Sequence, residues 1–150
     1  MLQYFIPLIV FCGYILGYLI KKYIPEEQKD AQAYFHWAKK AIIIVLIFVL
    51  IITNSWSWYA LLFLLVGIIL GMFVTEIYLY LSLSILSLEL LPASVCFLYG
   101  LVAGEKKNLF RNALFFCIPF LFLLFSFDLS FLQCIAAGAL VSRVFKKKVL

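Results

Sequence analysis

Charged side chains are scarce in this chain: Asp, Glu, Lys and Arg make up 13% of its 150 residues, against roughly a quarter in an ordinary soluble domain. There is a single histidine, His36, and the four cysteines, Cys12, Cys96, Cys117 and Cys134, are far apart with no C-x-x-C spacing. Neither a clustered metal site nor a dithiol motif can be built from such a set. A Gly-rich phosphate loop is also missing, and no nucleophile stands in a recognisable arrangement with a base. These absences leave hydrolase, metalloenzyme and nucleotide-dependent activities without the residues they need. No enzyme activity, metal or cofactor is expected. No separate basic domain exists either, so nucleic acid is not an expected partner.

What is present is apolar. Hydrophobic residues make up 67% of the chain, more than one core can hide, which makes a lipid bilayer the expected solvent for much of the surface. The expected class is all-α, a polytopic transmembrane helix bundle forming a single domain over 1–150 and resident in the cell membrane. Apolar runs that approach the roughly 20 residues needed to cross a hydrocarbon core fall at 2–20, 39–53, 58–75, 77–103, 109–125 and 129–145. The first run has its charges after it rather than before, so it reads as a retained helix and not a signal peptide. Between the first two runs, 22–40 is a charged loop with a short interfacial helix carrying Tyr34, Phe35 and Trp37. The cysteines all lie within apolar runs and read as small buried hydrophobes.

The 12 Lys and Arg fall in three groups, Lys21 to Lys40, Lys106 to Arg111 and Arg143 to Lys148, and give a net charge of +5. Each group adjoins an apolar run and suits anionic lipid headgroups. A gapless match of Pro7–Lys22 with Pro92–Lys107 pairs Pro7 with Pro92, Tyr14 with Tyr99, and Lys21-Lys22 with Lys106-Lys107, with 6 of 16 positions identical. That match suggests two three-helix repeats, about 2–75 and 78–145. Taking 77–103 as one helix gives six spans, an inverted second repeat and cytoplasmic termini. Splitting it near Pro92 gives seven spans, three plus one plus three, with parallel repeats. The positive-inside rule favours seven, and the length available for crossings favours six. Length is the stronger constraint.

Small residues four apart, Gly13/Gly17, Gly67/Gly71, Gly100/Gly104 and Gly138/Ser142, mark grooves for close helix packing. The residue singled out for chemistry is Glu89, an acid expected near the bilayer centre, where an ionised carboxylate costs several kcal/mol unless paired or solvated. Pro92 would kink the helix and free a carbonyl nearby, and Ser84 and Ser87 would add hydroxyls. Together these predict a site for a proton, a cation or a small solute. Glu76, Asp128 and His36 are weaker candidates. The leading functional expectation is a small proton- or cation-coupled membrane transporter, working as a homodimer. The alternative is a non-catalytic membrane subunit or scaffold assembled with other transmembrane helices.

Overall fold

The computed structural model describes residues 5–23, 25–54, 57–74, 76–86, 89–103, 109–120 and 130–145, with the side chains of 25–30, 32, 33, 109, 110 and 130 excepted. These residues form seven helices: α1 (Ile6–Tyr23), α2 (Pro25–Thr53), α3 (Trp58–Phe73), α4 (Ile77–Ser84), α5 (Leu90–Ala103), α6 (Leu109–Cys117) and α7 (Ser130–Phe145). Lys21 and Lys22 lie in the last turn of α1, where positive charge complements the helix dipole. Pro25 opens α2, a position at which its missing N–H costs no intrahelical bond. From there α2 runs unbroken for 29 residues, so the stretch read from the sequence as a charged loop is, from Pro25 onward, the first part of this helix.

Two helix pairs carry the most extensive packing, α3 with α7 and α1 with α5. Both are built on glycine. A Cβ placed on Gly138 would collide with the Leu64 carbonyl oxygen, and one on Gly100 would lie 2.7 Å from the Tyr14 nitrogen. Any larger residue would force the backbones apart. The register gives the direction: Gly13 faces Phe97 while Gly17 faces Gly100 and Leu101, and Gly67 faces Ile135 while Gly71 faces Ala139 and Ser142. Positions rise together along both partners, so each pair is parallel. No short loop joins parallel neighbours, and the chain reaches each partner only after passing through other helices.

The short helix α4 fills the centre. Tyr80, Leu81, Ser82, Leu83 and Ser84 are consecutive and all buried, which on a helix means burial on every side. Around it the core gathers Ile43, Leu46 and Leu50 from α2 and Ala136, Ala139 and Leu140 from α7, each set spaced to line one helical face.

The six-span plan is overturned here. The run 77–103 is two helices, 8 and 14 residues long, and its break has local causes. The Ser82 and Ser84 hydroxyls donate to the carbonyls of Leu79 and Leu81, three residues back, at 2.9 and 2.6 Å. Such bonds compete with helical continuation. The chain then tightens, with the Ile85 amide reaching Ser82 O at 3.2 Å and the Leu86 amide reaching Leu83 O at 3.4 Å. Pro92 sits in the first turn of α5, where it starts a helix without kinking one. The second half is not inverted either, since α1 and α5 run the same way.

Seven helices do not amount to seven spans. Among the described residues only Ile6–Tyr23 and Tyr34–Thr53 are long and apolar enough to cross a membrane. Helices α3 and α7 have 16 residues each, about 24 Å at 1.5 Å per residue, against a core of roughly 30 Å. The structure is a compact all-α bundle closed around its own core, and the multi-pass architecture, the cell-membrane location and the bilayer as partner are corrected accordingly.

The close approaches make a direct stability prediction. Gly138→Ala should lower the unfolding free energy by about 1–3 kcal/mol, the usual cost of overpacking, in a urea titration followed by circular dichroism. Leu62→Ala, at a side chain 59% exposed on α3, should change it by less than about 0.5 kcal/mol. Equal effects from the two substitutions would rule out the close packing of α3 on α7.

Candidate functional site

The residues proposed from the sequence do not converge. Glu89 is exposed and stands just before α5, and its carbonyl accepts the Ala93 amide at 3.4 Å. It is a helix-start residue at the surface, while Leu88, whose carbonyl Pro92 would leave without an amide partner, lies outside the described residues. Ser84 is fully buried, and its hydroxyl lies 3.4 Å from Cys96 Sγ. Pro92 is buried, while Ser87, Gly104 and Asp128 lie outside the described residues. An exposed acid and a buried serine do not make a midplane ion site, so the transporter reading loses its basis. The scaffold reading fails for another reason. Gly13, Gly17, Gly67, Gly71, Gly100 and Gly138 all face backbone or side chains of this same chain, leaving none of these grooves open to a second protein or a second copy.

Of the lesser candidates, Glu76 is 20% exposed and its Oε1 lies 3.7 Å from Nη2 of Arg111, which is itself 55% exposed. Such a pair is weak in water. His36 lies partly exposed on α2, without a group of metal-ligating side chains among the described residues.

The residue the structure brings forward is Arg143, in the last turn of α7. Its side chain is 0% exposed. Nη2 donates to the carbonyl of Val74, the residue that ends α3 by leaving helical geometry for an extended conformation. Nε and Nη1 have no hydrogen-bond partner, and no carboxylate among the described residues pairs with the guanidinium. The Tyr80 hydroxyl belongs to the same corner, donating to Leu70 O at 3.1 Å and Val74 O at 3.2 Å. Burial pushes its ionisation above the usual phenol range, and the Arg143 charge pulls the other way. The neighbouring Val74 is exposed, so the guanidinium reaches a carbonyl at the exposed end of α3.

Counting Arg143 with the basic group 143–148 misses this site. Helical spacing supplied the signal: Ala136, Ala139, Leu140 and Arg143 fall at i, i+3, i+4 and i+7, one face of α7, and the first three are fully buried or nearly so. An arginine continuing a buried stripe is a buried arginine.

A second polar cluster lies where α1, α4, α5 and α6 meet. Asn112 Nδ2 donates to the Tyr14 hydroxyl at 2.9 Å, and the Tyr14 and Tyr78 rings meet edge-on at 5.1 Å. The adjoining cavity, lined also by Tyr99 and Cys96, has a volume of about 10 Å³, room for one water at most. Its polar groups fix packing and admit no ligand. Compared with known protein families, with curated proteins and with solved structures, the chain matches none.

The thiols divide by environment. Cys12 and Cys117 are exposed, whereas Cys96 and Cys134 are buried. Burial pushes Cys96 up to about 12, against an ordinary 9.0, with the Ser84 hydrogen bond opposing the shift. A thiol whose folded pKa is raised favours the fold below pH 9, and this contribution is lost as pH climbs from 9 towards 12, where only the unfolded chain ionises. Stability should therefore fall by up to about 1.4 kcal/mol per pH unit across that window, and Cys96→Ala should reduce the slope. In the native protein at pH 8, a thiol reagent read by mass spectrometry should label Cys12 and Cys117 and spare Cys96. Labelling of Cys96 at a comparable rate would contradict its burial.

Proposed function

We propose that the chain is a non-catalytic binding protein for a small anion, and that Arg143 takes the ligand. The observation carrying this reading is a fully buried guanidinium with Nε and Nη1 left without partners. Arginine does not deprotonate in proteins, so it cannot escape burial by becoming neutral. A buried charge left uncompensated costs several kcal/mol, and an anion seated on it would remove both the unmatched charge and the missing hydrogen bonds.

Binding without chemistry is supported by the state of the nucleophile candidates near the core. The Ser82 and Ser84 hydroxyls are committed to backbone carbonyls, and the Cys96 thiol is held neutral by burial. Glu76 follows closely after Val74 in sequence, and Arg111 offsets its charge, which lessens the repulsion an entering anion meets.

One observation favours a second reading. The bond from Nη2 to Val74 O could be the whole purpose of Arg143, a clamp on the last carbonyls of α3. Thermal unfolding with increasing chloride, acetate or phosphate separates the two. An anion-binding protein gains stability saturably, by about 2.7 kcal/mol at a hundredfold excess over Kd, and Arg143→Gln removes the gain. A non-saturating response that is the same in Arg143→Gln leaves only the clamp.

A further inference from the structure

We infer that the anion is one presenting two coplanar oxygens, a carboxylate or a phosphate monoester, gripped by the one guanidinium fork that Val74 leaves whole. This rests on the anion-binding reading above and narrows its ligand class. A guanidinium carries five N–H groups in a plane: one on Nε and two on each terminal nitrogen. It can hold two oxygens side by side along either of two edges, Nε with Nη2 or Nη1 with Nη2. The third edge is closed by the side chain's own Cδ.

Both open edges share Nη2, and Nη2 is the atom that bonds Val74 O. That bond uses one of its two protons and spoils one edge. The other edge keeps its second Nη2 proton and is completed by Nε or Nη1, both of which lack partners. One complete fork remains whichever proton Val74 takes. A spherical ion such as chloride meets the converging donors at a single point, whereas a carboxylate or phosphate matches them oxygen for oxygen. Full burial sharpens the difference, because an ion that leaves donors unmatched there recovers no hydration.

The fork also fixes what the site demands of residue 143. Lysine would keep the charge but present a compact ammonium with no planar pair of donors. The Val74 carbonyl holds the guanidinium plane in place, and Val74 itself is exposed at the end of α3.

Two-dimensional NMR of the arginine Nε–H signals tests this, with Arg143 assigned by its loss in Arg143→Lys. Chloride, acetate and methyl phosphate are titrated separately, and the unfolding midpoint is followed in parallel for wild type, Arg143→Lys and Arg143→Gln. The expected result is a saturable shift of the Arg143 signal with a Kd at least tenfold lower for acetate or methyl phosphate than for chloride. The preference should disappear in Arg143→Lys, read from the unfolding midpoint. The better of the two oxyanions then identifies the ligand as carboxylate or phosphate. Equal affinity for chloride, or selectivity that survives in Arg143→Lys, overturns the fork while leaving an anion-binding Arg143. If no anion gives a saturable shift, the anion-binding reading itself falls.

Discussion

Close backbone contact between parallel helices is the constraint on which this fold depends. Where α3 meets α7 and α1 meets α5, backbone atoms of one helix stand within a Cβ's reach of glycines on the other, a separation no larger residue permits. Parallel partners cannot follow each other directly in the chain, so the segments between them must span the bundle and return. The short buried helix α4 is held inside that arrangement, packed against α6 and α7. Its two buried serines bond back to its own turns, which competes with helical continuation, and the Ser84 hydroxyl also meets Cys96 Sγ on α5.

The same packing creates the charged corner. Because α3 and α7 run in the same direction, their C-terminal ends lie side by side, and Arg143 meets the carbonyl of Val74 where α3 leaves helical geometry. An antiparallel pair would have set Arg143 against the start of α3, where amides and not carbonyls are exposed. Tyr80 turns its hydroxyl to the same carbonyls from α4. Three helices thus converge on one helix end, and the donors of Arg143 outnumber the acceptors they supply. This surplus of buried donors gives the corner its chemical character.

Hydropathy misled because it measures composition and not the length of uninterrupted helix. The stretch 77–103 is apolar almost throughout, yet back-bonding at Ser82 and Ser84 and the helix-starting position of Pro92 divide it. Glu89 then falls at the division, where a carboxylate is exposed to water, and the proposed buried site dissolves with it. Arg143 failed in the opposite direction: its neighbours Lys146, Lys147 and Lys148 made it look like part of a surface charge cluster, while its spacing from Ala136, Ala139 and Leu140 placed it inside.

The sequence by itself determined that the chain is helical and that its glycines recur at one-turn spacing. These follow from composition and local periodicity, which act within a few residues. Only the tertiary structure decided which helices pair, that they pair in parallel, and that an arginine near the end of the chain lies buried against the end of α3. Those outcomes rest on contacts between residues about 70 positions apart, Val74 with Arg143 and Gly67 with Ile135, and local periodicity carries no information about which distant surfaces fit closely enough to meet.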